Sequence, residues 1–301
     1  MHLHFQNNMR NLLLFITLIT SGVLNAQISE RVGGNHPSNL VYLYDGEKSQ
    51  LHKRINPNVI LEETKAILTY VDSQISITAP TDIIPLNGLI RDLKRFGIWN
   101  KLDLLYVFAG GGNENFKLIN LKTPGTFNGV GNGGLTWYSD GVQGNGSNAY
   151  INTTFNPNIS NPNYTLNNAS RGGFVVSYTG TFNFDGVVGV ARNDYNGSVM
   201  RLNGTAIATV NYDGSLGGLF ITRQNSTQVE VTMKNSTATY SISSGSTATA
   251  HEQGILRRQA AYGNIRLGLY FMGGYLTYAE TQLFRTAYNN YLIALDITPY
   301  G

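Results

Sequence analysis

Carboxylates are the first residues to test for chemistry in this sequence. Two Asp or Glu facing each other across a cleft, about 5–5.5 Å apart, can cleave a glycosidic bond with retention. One strand would present them as Glu-x-Asp-x-x-Glu or Glu-x-Asp-x-Glu, and no such run is present. Beyond residue 120 the acids are Asp140, Asp185, Asp194, Asp213, Glu230, Glu252, Glu280 and Asp296. Asp140, Asp185 and Asp213 each precede Gly, where an Asp side chain caps its own turn. Outside the first 26 residues histidine occurs only at His36, His52 and His251. No Gly-x-Ser-x-Gly elbow and no pair of His at ligand spacing accompanies them, so neither triad hydrolysis nor a zinc centre is indicated. His251 beside Glu252 reads as a surface-loop residue. The absence of Cys removes disulfides, thiolate metal sites and thiol nucleophiles. Gly110-Gly111-Gly112 lacks the Lys-Ser/Thr pair of a phosphate loop. No cofactor is expected; the one candidate metal position is calcium in the loop Asn193–Asn196, through Asp194 and backbone carbonyls, without EF-hand spacing. The expectation is a protein that is not an enzyme.

Binding chemistry is better supplied. Tyr (18) and Phe (13) are plentiful, and exposed Tyr or Trp rings offer flat faces to sugars while Asn offers donors and acceptors. Candidate glycan-binding residues are Trp137, Tyr138 and Tyr150, near Asn145 and Asn148, and Tyr195 and Tyr212, near Asn196. The alternative is that Trp137 belongs to the core and that the tyrosines line subunit contacts.

Charge sets outer limits on partners. Lys+Arg 21 minus Asp+Glu 18 gives +3, too little to make nucleic acid or an anionic membrane the expected partner. With 13% charged and 11% aromatic residues, the chain has the composition of a folded protein rather than a disordered one.

The elements that would position these residues can be read along the chain. Arg10, the apolar run Leu12–Ile19 and the small residue Ala26 have the layout of a secretory signal peptide. That run is too short for an ordinary membrane span of about 20 residues, and the alternative is an uncleaved apolar N-terminal segment. Asn39–Tyr44 reads as one strand, and Lys48, His52, Lys53 and Arg54 as a solvated basic loop. Val59–Asp72 has helical apolar spacing. A helical pair is expected next, Leu86–Phe96 and then Trp99–Phe108. From about residue 120, short β-prone runs alternate with Asn-Gly and Asp-Gly dipeptides, including Asn128-Gly129, Asp140-Gly141, Asp185-Gly186 and Asn196-Gly197. Such spacing predicts an antiparallel sandwich. Thr277–Glu280 is a capping box opening a last helix whose apolar face is Leu283, Phe284, Ala287, Tyr291, Leu292 and Leu295.

Three stretches also carry a resemblance: Leu89–Lys101 with Leu105–Gly111 and Phe116–Lys122; Asp140–Thr153 with Phe155-Asn156-Pro157; and Phe271–Thr277 with Tyr288–Leu292. Together they resemble the concanavalin A-like (LamG-type) jelly-roll structural proteins of bacteriophage virions and prophages of Bacteroidota hosts, over roughly residues 80–297. The resemblance implies a mainly β, concanavalin-like jelly-roll sandwich with a preceding helical segment and a C-terminal helix. It implies a non-enzymatic role in a capsid or tail fibre, spike or decoration, with no catalytic residues to carry over. The signal-like leader departs from that pattern and leaves room for a secreted bacterial lectin-like module. The resulting organisation is a leader over 1–26, an anchoring segment over 27–80, the helical pair and connector over 81–122, the sandwich over 123–276 and the docking helix over 277–301. Expected partners are further copies of this chain or other subunits of a virion or surface assembly, and a cell-surface polysaccharide, with membrane contact only through the leader and a location on the virion or outside the cell.

Overall fold

A computed structural model describes residues 60–156, 163–180, 182–187, 194–204, 208–212, 214, 216–234, 236–245 and 252–300. The leader, the strand read over Asn39–Tyr44, the basic cluster Lys48–Arg54 and His251 lie outside the described residues. Four α-helices are described, α1 (Glu62–Asp72), α2 (Ile84–Arg95), the single turn α3 (Glu114–Lys117) and α4 (Tyr278–Ala294), with a 3-10 turn over Trp99–Lys101. None is long and apolar enough to cross a membrane.

The strands begin with β1 (Leu102–Val107), β2 (Val130–Asn132), β3 (Thr136–Tyr138), β4 (Gly141–Gln143) and β5 (Tyr150–Asn152). Next come β6 (Ala169–Tyr178), β7 (Asp185–Val187), β8 (Asp194–Tyr195), β9 (Val199–Arg201) and β10 (Ala208–Thr209). The series continues with β11 (Gly217–Arg223), β12 (Gln228–Met233), β13 (Ser236–Ser241) and β14 (Gln253–Ile255). It ends with β15 (Arg257–Arg258), β16 (Ala261–Tyr262) and β17 (Ile265–Gly273). One sheet runs β13-β12-β11-β6-β17-β4-β3, with β1 also on β17; the second runs β10-β9-β8-β7-β14-β5-β2; β15 and β16 form a separate hairpin. Both sheets are antiparallel throughout, which gives the expected mainly β sandwich with a helix on either side of it in sequence.

Alternation along the strands sorts side chains into two cores. From β17, Tyr270 and Met272 point between the sheets with Val175, Leu219, Ile221, Ile151 and Ile255. Leu269 and Phe271 point the other way, with Phe174 and Phe220, into a second core made with the helices. There α2 contributes Leu86, Leu89, Ile90 and Leu93, and α4 contributes Phe284, Tyr288, Tyr291 and Leu292. The central strands of the larger sheet, β1, β6, β11 and β17, are therefore buried on both faces, in a helix–sheet–sheet stack.

Three expectations are corrected here. Leu102–Val107 is a strand, not the second helix of a pair, and every residue of it is buried. Leu104 and Tyr106 face the sandwich core while Leu105 and Val107 face the helices; a strand buried on both faces loses its polar alternation and imitates a buried helix. The β region accordingly begins before residue 123. On α4, Leu283 is exposed and Tyr288 takes its place in the core, its ring centroid 4.3 Å from that of Phe174. Asp185-Gly186 is not a turn but the start of β7. Its glycine is needed for close approach, since a Cβ there would lie 3.0 Å from the Arg258 Cα.

Arg171 of β6 and Asp185 of β7, both without solvent exposure, form an ion pair between the sheets. The Tyr270 hydroxyl donates to the other Asp185 oxygen at 2.9 Å, and Arg171 Nη2 donates to the Arg201 carbonyl at 2.8 Å. Burial pushes the Asp185 carboxyl upward against the pull of Arg171 and Tyr270; burial also lowers the Arg171 guanidinium, but the Asp185 carboxylate outweighs it and raises the group above its ordinary range. Truncating one partner leaves the other charge buried alone. Arg171→Met or Asp185→Asn is expected to cost about 3–5 kcal/mol, and the double replacement by apolar residues less than either; urea unfolding checks both, and additive losses would contradict the coupling. At the start of α4 the capping box is formed: Glu280 N donates to Thr277 Oγ1 at 3.2 Å, and Thr277 N to Glu280 Oε2 at 2.9 Å. Burial raises the Glu280 carboxyl, but Lys101 and Thr277 outweigh it and hold it below the usual glutamate range. Its contribution is thus fully present above the ordinary glutamate pKa and is lost as pH falls through the lower folded value. Thr277→Ala is expected to cost about 1 kcal/mol, and the stability gap between the protein and Glu280→Gln to close on acidification through that window, as read by thermal unfolding.

Candidate functional site

Helices cover the outer face of the larger sheet over its central strands, so the outer face of the smaller sheet is a broad surface left for contact among the described residues. In β5 the pattern is plain: Ile151 points inward with no exposure, which sends Tyr150 and Asn152 outward. Their neighbours in register on β2 are Asn132 and Val130, and Val130 is 52% exposed. Asn152 Nδ2 donates to the carboxylate of Glu252.

Leu256 and Gln259 take positive φ (63° and 53°), so the chain folds back after β14 and the β15–β16 hairpin lies over this face beside Gly186 and Gly254. The Tyr150 and Tyr262 rings have centroids 5.9 Å apart, inclined at 45°. The Arg257 guanidinium carbon lies 4.5 Å from the first centroid and 5.4 Å from the second. Tyr150, Tyr262 and Arg257 are all partly exposed. Alongside, the Asn145 side chain orders the loop before β5: its Oδ1 accepts from Ser147 N, Asn148 N and Ala149 N, and its Nδ2 donates to Gly133 O and Asn148 Oδ1. Gly146 N donates to Gly263 O, which joins this loop to the hairpin end. The Asn145–Asn148 loop is therefore a pre-ordered amide surface beside Tyr150 and Tyr262.

The sequence-derived candidates do not form one site. Tyr150 lies on this face as described. Tyr212 stacks on Phe182 at 4.0 Å and meets Tyr178 edge-on at 5.6 Å; Asn183, next to Phe182, donates to the Tyr262 carbonyl at 3.0 Å. Trp137 and Tyr138 stand on β3 of the other sheet. Trp137 packs its ring on the sandwich core against Phe108, and Tyr138 lies under the Arg266 guanidinium at 3.6 Å. Tyr195 is corrected: it has no exposure, and its hydroxyl donates to the Val210 carbonyl at 3.0 Å. Its ring is part of the core and offers no face to a ligand. Tyr262 and Arg257 went unrecognised because the hairpin turns on Leu256 and Gln259, which give no glycine signal.

The ionisable groups are engaged elsewhere. Asp194 accepts from Arg201 Nη1 at 2.9 Å and from Arg258 Nε at 2.6 Å, and Asn196 Oδ1 caps Ser198 N and Val199 N. The described part of the loop read as a calcium position is thereby committed to arginines and turn hydrogen bonds. Asp140 pairs with Arg266 at 3.0 Å. Asp103, under Asn163 and Tyr164, is raised by burial against those hydrogen bonds. No group of three or more potential metal ligands is found among the described residues.

No family model and no curated protein matches the sequence. Among solved structures, the chain is similar to an HCR/D mutant at 9% identity, covering 65% of this chain and 54% of that one, with a TM-score of 0.45. It is similar to domain 4 of AbnA, an extracellular arabinanase of Geobacillus stearothermophilus in complex with arabinotriose, at 16% identity over 61% of this chain and 98% of that one, TM-score 0.39. A third is the Trypanosoma rangeli sialidase in complex with sialic acid, at 9% identity over 72% of this chain and 40% of that one, TM-score 0.42. The chain thus spans about half of the first and less than half of the third. Likeness at this level places no residue and assigns no ligand.

The split between core and surface tyrosines can be measured. Tyr195→Ala is expected to cost about 3–5 kcal/mol in denaturant unfolding, as for other fully buried aromatics, and Tyr150→Ala to change stability by well under half of that. Equal losses would contradict the placement of Tyr150 on an open face.

Proposed function

We propose that this chain is a non-enzymatic β-sandwich of a virion surface or extracellular assembly, and that it contacts carbohydrate through the open face of its smaller sheet. The observation that carries the carbohydrate part is the Tyr150–Tyr262 pair, partly exposed and bordered by Asn132, Asn148 and Asn152 on the face that no helix covers among the described residues. Aromatic rings take the apolar faces of sugars and amides take their hydroxyls. The non-enzymatic part is supported by the carboxylates: Asp185, Asp194, Asp140 and Glu280 are each held by a basic side chain, whereas glycoside hydrolysis calls for two carboxyl groups facing across a cleft.

The placement in an assembly rests on the sequence resemblance, the signal-like leader bearing on export alone, and one structural feature favours it. Edge strand β13 pairs only with β12 among the described residues and carries Ser236, Thr237, Ala238, Thr239, Tyr240 and Ser241. An uncharged, mostly exposed edge without proline has none of the usual protections against pairing with another chain. The competing reading is a secreted lectin-like module that works as a monomer, and light scattering separates the two.

A glycan array with the whole chain, followed by titration of its best ligand, tests the carbohydrate reading. Tyr150→Ala and Tyr262→Ala are each expected to weaken that ligand by about tenfold, while Tyr138→Ala leaves it unchanged. An array without binders, or affinities indifferent to both tyrosines, would overturn the assignment.

A further inference from the structure

We infer that Arg257 anchors a carboxylate, so that the carbohydrate taken by this face is an acidic, uronate-bearing one; the inference rests on the carbohydrate reading above and narrows its ligand. Arg257 lies against two aromatic rings, Tyr150 and Tyr262. Its Nε donates to the Gln259 carbonyl at 2.6 Å. What remains is the outer edge of the guanidinium, with both terminal amino groups.

No carboxylate lies within ion-pair distance of Arg257 among the described residues. The contrast with its neighbour is informative: Arg258, one residue on, turns to Asp194 at 2.6 Å, where Arg201 also pairs. Arg171 and Arg266 hold Asp185 and Asp140. Arg257 is instead kept by two rings and a backbone carbonyl, at a partly exposed position. Packing against aromatic faces removes water from the plane of the guanidinium and fixes its fork, the arrangement that favours bidentate binding of a planar carboxylate. The hydroxyls of Tyr150 and Tyr262 make no hydrogen bond among the described residues, which leaves them for sugar hydroxyls. Charge on this face agrees in sign. Arg201, Arg257 and Arg258 stand against Asp194 and Glu252, and Glu252 is already hydrogen-bonded to Asn152.

Titration calorimetry of the full chain with a galacturonic-acid trisaccharide and with the neutral galactose trisaccharide tests this, repeated with Arg257→Gln and Arg257→Lys. The acidic sugar is expected to bind about tenfold or more tightly than the neutral one. Arg257→Gln is expected to remove that preference, and Arg257→Lys, which keeps the charge but not the fork, to retain only part of it. Equal affinity for the two sugars overturns the carboxylate anchor while leaving the carbohydrate reading in place, as does a preference that survives Arg257→Gln. Binding of neither sugar also overturns the uronate assignment, and the glycan array above then decides the carbohydrate reading by itself. The comparison on the unmodified chain decides the matter even if a variant is unstable, and the unfolding temperature of each variant shows whether it is folded.

Discussion

The ion pair between Arg171 and Asp185 is the constraint on which the other features depend. It joins the middle strand of one sheet, β6, to the middle strand of the other, β7. A strand shifted by one residue exchanges its two faces, and a buried aspartate cannot be left without its cation at small cost. Asp185 facing inward therefore obliges Gly186 to face outward. There the missing side chain lets the β15–β16 hairpin settle against β7, with Arg257 O 3.1 Å from where a Cβ would be. The hairpin in turn brings Tyr262 to Tyr150 and puts Arg257 against both. The surface site is thus the outward consequence of an interior ionic contact.

The helical layer makes the complementary contribution. By covering Phe174, Phe220, Leu269 and Phe271, α2 and α4 turn the outer face of the larger sheet into a second core. Each such side chain is stabilised by roughly 1.5–3 kcal/mol on burial, so this layer is a large part of the fold's stability. It also makes the two faces of the sandwich unequal. One is covered by helices over its central strands, and among the described residues the other keeps Asn132, Tyr150, Asn152 and Arg257 partly exposed.

Much of this architecture was legible in the sequence, and the failures have physical causes. Val229 and Val231 alternate with Glu230 and Thr232 in the sequence, and Gln228–Met233 is strand β12; the Thr277–Glu280 capping box is formed in full. β1 was unreadable as a strand because both its faces are buried. Tyr195 and Tyr150 could not be told apart because each sits on a strand of two or three residues, too short for alternation to reveal a face. The Arg171–Asp185 contact leaves no periodic trace, since it joins two sheets across their interior. Tyr262 and Arg257 belong to a hairpin that turns on Leu256 and Gln259 at positive φ, where a reader looks for Gly or Asn. The site was therefore half visible, as Tyr150 with its Asn neighbours and without the arginine.

Hydrogen–deuterium exchange of the whole chain, with and without a saturating oligosaccharide identified by array, is the most direct test of the central claim that the open face of the smaller sheet binds carbohydrate. The account predicts that protection on binding concentrates in the Asn145–Asn152 segment and in Arg257–Asn264, with α2, α4 and β13 unchanged. Protection confined to the larger sheet's edge at β3–β4 or to β13, with none in those two segments, would contradict it.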